Sequence, residues 1–454
     1  MTTYDAIVIG GGFAGLSAAV RLAGRGARVL VLEAKSRLGG RATAFNDRET
    51  GELVDNGQHV LLGCYTESLA FLDAVGASGN LQRPPHLRVT MVDRSGRTSR
   101  LDCPSLPPPL HLLAGVLDWE GVPLRDRFSI LRMAAPLRLA KRELAGDHRR
   151  IAASPGETVE NWLRRNGQSP KLSEMLWEPL ARAALNQSAS EAAAPVFARV
   201  LAEMFGGDAR ASAILLPKTP LHLMYAEPAR ERIERLGGTV MTGRTATVQV
   251  EHGGVRSVSS GAERWDTDTV IAAVPWHAFD ALLSGDGNAG SHADVLTATR
   301  AAASRMASSP IVTVNLWFDR PVMDEPFIGL PGRSMQWAFD KRLIHGGAVS
   351  HVTLVSSGAT SQGDASNTDL IARAHEELVQ ALPQARSARL ERGTVVREPH
   401  ATFSLAPGQP PRPATCTEVK GLFLAGDWID TGLPATIESA VRSGHRAAAA
   451  ALER

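Results

Sequence analysis

Gly10-x-Gly12-x-x-Gly15 sits between Ala6-Ile7-Val8-Ile9, an apolar run of the kind buried in parallel sheets, and a small-residue helix at 16–23. Gly24-Arg25-Gly26 stops the helix, and residues 28–33 read as a second buried strand. This is a βαβ unit, and it constrains the fold more than any other feature. The three glycines have separate duties. Gly10 allows the turn, Gly12 lets backbone approach a pyrophosphate, and Gly15 packs helix on strand, while the helix N-terminus offers free N–H groups to phosphate. Glu33 closes the second strand about 20 residues further on, the place of an acid that binds ribose hydroxyls. A carboxylate there disfavours a 2′-phosphate, leaving NAD and FAD ahead of NADP.

The remainder of the chain narrows the class. Its 454 residues allow about three domain-sized units. With 49 Lys+Arg against 47 Asp+Glu, it lacks the basic excess of a nucleic-acid binder. Cys64, Cys103 and Cys416 are too scattered for a disulfide framework, a cysteine-rich metal site or a dithiol centre, so a reducing compartment is expected and no metal. No signal peptide and no run of about 20 apolar residues is visible, which predicts a cytoplasmic protein, at most peripheral on the inner face of the plasma membrane.

After the stiff loop Pro104-Ser105-Leu106-Pro107-Pro108-Pro109, residues 110–117 and 125–143 read as apolar helices. The second is rimmed by Arg125, Arg127, Arg132, Arg138, Lys141 and Arg142, and Pro136 predicts a kink in it. Residues 156–235 read as mostly helical, and 245–258 alternate about a His252-Gly253-Gly254 turn. Strands follow at 268–274, 311–318 and 349–355, a polar glycine-rich loop at 285–292, and a helix at 367–382. A last strand at 421–427 leads into a helix from about Thr436. The order predicts an α/β chain. A discontinuous Rossmann-type domain takes 1–85, 215–290 and 410–454, and an inserted α+β substrate domain with membrane-facing helices takes 86–214 and 291–409.

Glu33-Ala34-Lys35-Ser36-Arg37-Leu38-Gly39-Gly40-Arg41 resembles the extended fingerprint of the amine oxidase and phytoene desaturase flavoprotein superfamily. Leu424-Ala425-Gly426-Asp427-Trp428 with Leu433-Pro434-Ala435-Thr436-Ile437-Glu438 resembles its second flavin motif. The resemblance implies FAD. It implies a contacting set of Gly10, Gly12, Phe13, Ala14, Gly15, Glu33, Ala34, Gly40, Arg41 and Gly57 from the first part of the chain. Val248, Gly426, Asp427, Thr436 and Ile437 complete it. In that implied set, Asp427 accepts from flavin-side hydroxyls and Val248 meets the adenine end through backbone. The only other G-x-G-x-x-G, at 285–290, falls in the polar glycine-rich loop and not between a buried strand and a helix, and there is no redox cysteine pair, so any reduced flavin needs an external reductant.

Residues 55–65, 176–186 and 223–229 are similar to the squalene-associated FAD-dependent desaturase family. That likeness implies a long apolar isoprenoid substrate and the reduction of hydroxysqualene to squalene in bacterial hopanoid synthesis. Lys218 is not characteristic of it. Asp55 and His59 are the acid–base candidates, because the superfamily places their block beside the flavin. Each also reads as structural: Asp55 as a turn cap, His59 as a satisfied core histidine. Competing activities are an oxidative carotenoid or phytoene desaturase and an amine oxidase. The latter needs an aromatic cage that, with three tyrosines in the chain, rests on Trp428 and a Trp or Phe elsewhere.

Overall fold

A computed structural model describes residues 4–47, 49, 51–284 and 296–453, so the glycine-rich stretch 285–292 lies outside the described residues. β1 (Ala6–Ile9), α1 (Phe13–Ala23) and β2 (Val29–Glu33) form the expected βαβ unit. With β3 (Thr239–Thr242), β4 (Val270–Ala272) and β5 (Leu422–Leu424) they make a parallel sheet in the order β3-β2-β1-β4-β5. Its strands alternate between two cores. Ile7, Ile9, Leu30, Leu32 and Leu424 belong to one, while Val8, Val29, Val31, Ile271 and Phe423 belong to the other. Both faces are covered, which is why these strands read as continuous apolar runs. On one face lies α2 (Ile437–Leu452), which crosses α1 so closely that a Cβ on Gly444 would stand 2.2 Å from the Ala14 carbonyl oxygen.

A second sheet has seven strands, in the spatial order Leu390–Phe403, Ser308–Phe318, Ser350–Ser357, Trp337–Asp340, Phe327–Gly329, Arg88–Val92 and Thr98–Asp102. Val312, Val314, Leu316, Val352 and Leu354 turn one face onto helix Asn367–Ala381. The alternate residues Thr313, Asn315, Trp317, His351, Thr353 and Val355 turn the other face toward the glycine-rich half. Trp317 Nε1 donates to Glu52 at 2.8 Å, and a Cβ on Gly57 would lie 3.4 Å from Thr313 Oγ1.

Ahead of the proline-rich loop, where the sequence marks no element, stands a strand pair, Arg88–Val92 with Thr98–Asp102. The stretch 125–143 is not one kinked helix. It runs Leu124–Arg127, a tighter 3₁₀ segment Phe128–Met133, then Ala134–Leu144. Pro136 falls in the first turn of that last helix, where a missing N–H costs nothing, so it starts a helix instead of bending one.

Candidate active site

The glycine loop fits a pyrophosphate. Gly10 has φ +114°, and a Cβ there would lie 2.4 Å from the Ala273 carbonyl oxygen. A Cβ on Gly15 would stand 1.8 Å from the Gly10 oxygen, so only glycine lets α1 pack this tightly. Gly12 is different: its Cβ would meet only the Gly40 Cα, at 3.9 Å, leaving a groove between two glycine backbones. The N-terminus of α1 opens into this groove at Gly12, so phosphate oxygens can take its free N–H groups. The two Glu33 oxygens accept from Gly11 N at 2.6 Å and Lys35 N at 2.8 Å. Each oxygen keeps a lone pair for a ribose hydroxyl. Arg244 N donates to the Glu33 carbonyl, bringing the root of the Val248 hairpin beside this acid.

Phe13 and Ala14 are buried in the packing of α1. The Phe13 ring stacks on Tyr225 with centroids 3.5 Å apart, and Tyr225 OH donates to the carbonyls of Gly39 and Ala42. Tyr225 therefore anchors the 39–42 turn, including Gly40, from below. Nothing at sequence level marks it for that task.

Arg41 and Asp427, from opposite ends of the chain, form an ion pair at 2.5 Å. Burial works against the Arg41 charge, but Asp427 more than reverses it and raises the guanidinium above its ordinary pKa. Asn56 Nδ2 donates to the Arg41 carbonyl at 3.1 Å, which brings the 55–59 stretch alongside. Gly426 sits at φ +143°, with its N–H donating to Ser443 Oγ. Thr436 caps α2 by accepting from Ser439 N at 3.1 Å, and Ile437 is the first helical residue. The N-terminal dipole of this 16-residue helix favours negative charge, as on a reduced flavin. Buried Glu438 in the first turn accepts from Glu67 N, Ser68 N and Ser68 Oγ, fastening α2 to helix Thr66–Ala74.

Asp55 is buried, accepting from Lys341 Nζ at 2.7 Å and from Leu221 N at 3.1 Å. Burial pushes its carboxyl pKa up, and the Lys341 ammonium more than offsets this, holding it below the ordinary carboxylate value. Asp55 is therefore an acceptor here, neither a bare turn cap nor a free acid. His59 Nδ1 lies 3.3 Å from the Gly57 carbonyl, and burial lowers its pKa against the pull of Asp55. Lys341 was not found from sequence, since one lysine outside any motif carries no signal. Trp428 is fully buried, donates to the Val274 carbonyl and packs on Phe279, so it cannot wall an aromatic cage. Glu178 is a partnered acid bound to Arg182 and Ala189 N. Asn186 bridges to Ser309, Thr402 and Gly358 of the sheet side.

Burial, with Lys341 nearby, lowers His345 to about 4 and His351 to about 3. Unfolded histidine takes its proton near pH 6.5. Below that pH the unfolded chain binds more protons, so stability is full above about 6.5 and is lost as pH falls toward 4. Each histidine should lower stability by up to about 1.4 kcal/mol per pH unit across that window. Urea unfolding at pH 7.5 and 5 should show the loss, and His351→Gln should flatten it. Equal slopes in both proteins would contradict the assignment.

The described geometry can be set beside known proteins. A family model described as flavin containing amine oxidoreductase matches residues 13–452. The hydroxysqualene dehydroxylase of Sinorhizobium fredii is 31% identical, over 98% of this chain and 97% of its own length. The 15-cis-phytoene desaturase of Solanum lycopersicum is 26% identical, over 99% of this chain and 78% of its own. Putrescine oxidase bound to putrescine shares the fold with TM-score 0.75 at 18% identity, covering 100% of both chains. With a family match over residues 13–452 and a relative 31% identical over nearly its whole length, the chain belongs to the flavin-containing amine oxidoreductase family and is an FAD-dependent oxidoreductase.

Proposed function

We propose that the protein removes the hydroxyl group of hydroxysqualene reductively, giving squalene. The observation that carries this reading is the face of the second sheet that Thr313 turns toward Gly57. Phe339 and Val355 of that sheet form a buried apolar cluster with Leu216 and Ile344, and Phe327 and Trp337 pack on it. Beside the cluster stand the buried Asp55–Lys341 pair and the polar residues Thr313 and Asn315. A long isoprenoid suits the first part and an oxygen substituent the second. The near full-length likeness to a hydroxysqualene dehydroxylase supports the same assignment. FAD, when bound and reduced, supplies hydride. The chain's own residues hold the pyrophosphate at Gly10–Gly15 and Gly40, fix Arg41 through Asp427, and aim the helix dipole from Thr436. An external reductant belongs to this reading.

The second reading, an oxidative carotenoid or phytoene-type desaturase, draws on the likeness to 15-cis-phytoene desaturase. An amine oxidase is disfavoured by the burial of Trp428. Incubating the purified protein anaerobically with chemically reduced FAD and hydroxysqualene should yield squalene. No squalene, together with dehydrogenation of phytoene by the oxidised protein, would favour the second reading.

The same reading includes peripheral contact with an anionic membrane as the route for the lipid. Leu124, Phe128 and Leu131 recur four and three residues apart, with relative exposures of 60%, 53% and 47%. The exposed Arg132, Arg138, Lys141 and Arg142 follow them directly. Among the described residues, no helix is long and apolar enough to cross a membrane. Burying each of the three apolar side chains is worth about 1.5–3 kcal/mol at full insertion, and each basic residue near an anionic surface about 1 kcal/mol. Replacing the three with Ser is expected to cut binding to anionic vesicles at least about tenfold, while turnover of detergent-dispersed substrate persists. Unchanged binding would return this stretch to a solvated face.

A further inference from the structure

Lys341 is the one buried lysine among the described residues; its side chain is 6% exposed, and that of Asp55 is 3% exposed. Burying both charges costs more than packing two apolar side chains of the same volume, so the pair adds little to stability by itself. Its surroundings are also under-satisfied. Lys341 Nζ donates to Asp55 Oδ2 at 2.7 Å and to Gln58 Oε1 at 2.6 Å, while an ammonium has three donors. His345 lies on the same short helix, Lys341–His345, and its Nε2 is 4.0 Å from Asp55. That Nε2, Thr313 Oγ1 and Asn315 Nδ2 are buried without a hydrogen-bond partner among the described residues. Asn315 Oδ1, in contrast, is fully engaged by Thr353 Oγ1 and His351 Nε2. Thr313 and Asn315 are successive residues on the sheet face turned toward Gly57, and Ile344, beside His345, belongs to the apolar cluster. Buried polar atoms without partners thus stand beside a buried apolar cluster.

We infer that this place is a hydroxyl-recognition site, in which Lys341 donates its remaining N–H to the oxygen of an isoprenoid alcohol and selects alcohols over hydrocarbons. The inference rests on the proposed function and deepens it. A hydrocarbon leaves the ammonium and the neighbouring amide and hydroxyl unpaired in an apolar setting. A site built to hydrogen-bond a hydroxyl can reject the analogue lacking it by as much as about 10⁴-fold. Asp55 and Gln58 serve as positioning residues that hold the ammonium in place. The site also favours product exit, because removal of the hydroxyl takes away the acceptor that Lys341 binds.

The test is binding to oxidised holoenzyme, which does not consume the alcohol. Hydroxysqualene and squalene are titrated separately and followed by perturbation of the flavin spectrum. The native protein should prefer the alcohol at least about 100-fold. Lys341→Met should reduce that preference below about tenfold while flavin content stays the same, and Lys341→Arg should restore most of it. Because Lys341→Met strands a buried carboxylate, the double variant Asp55→Asn/Lys341→Met, which removes both charges, provides the folded control and should show the same lost preference. A native preference near unity, or one unchanged in the double variant, overturns the inference. Failure of the functional reading looks different: alcohol preference intact in the native protein, but no squalene formed with reduced FAD.

Discussion

A Gly12→Val variant is expected to purify folded and without flavin. A Cβ at this position meets only the Gly40 Cα, at 3.9 Å, so the added methyl groups extend into the groove and leave the protein's own packing intact. FAD affinity should fall at least about 100-fold, or about 2.7 kcal/mol, with little change in the unfolding of the flavin-free protein. Gly15→Ala is the contrasting variant. Its Cβ would stand 1.8 Å from the Gly10 oxygen and 3.2 Å from Ala273 Cβ, so α1 must lift off β1 and both flavin and stability are lost. Flavin content of the purified proteins and urea unfolding separate the two effects. Full flavin occupancy in Gly12→Val would put the cofactor somewhere else.

Asp427→Ala should weaken FAD binding and destabilise the flavin-free protein together. It removes a charge-assisted hydrogen bond worth about 1.5–3 kcal/mol and leaves Arg41 over the Trp276 ring without its carboxylate. The Arg41 side chain is 29% exposed, so solvent screens part of that loss. The double variant Arg41→Ala/Asp427→Ala should cost less than the sum of the single changes, since no stranded charge remains. Additive losses, with an unchanged flavin dissociation constant, would mean that the pair is remote from the cofactor.

The nucleotide-binding unit is legible in the sequence because its signals are local. Residues 6–33 contain strand, turn, helix, strand and acid in one run, and the turn His252-Gly253 carries φ values of 51° and 76° as its composition implies. The second sheet is harder to read. Leu390–Phe403 is an edge strand mixing Glu, Arg, Pro and His, and only its last two residues are buried, so no alternation announces it. Arg88–Val92 and Thr98–Asp102 are five residues each and disappear beside the proline-rich loop that follows. In the candidate site, the glycines and Asp427 stand in motifs. Lys341 does not, and although Glu438 and Tyr225 fall inside blocks that carry the resemblance, the roles of all three exist only through partners lying 286, 370 and 186 residues away.

The parallel sheet that carries the glycine loop has a consequence for how the protein is made. Its central strand, β1, emerges first, yet its neighbour β4 begins at residue 270 and the edge strand β5 at residue 422. Arg41 must wait for Asp427, and helix Thr66–Ala74 for Glu438. During synthesis at about 5–20 residues per second, the glycine loop therefore spends tens of seconds outside the ribosome without the elements that complete it. Contacts of such long sequence separation also form slowly. Flavin capture is thus expected to be a late event, coupled to closure of the finished chain.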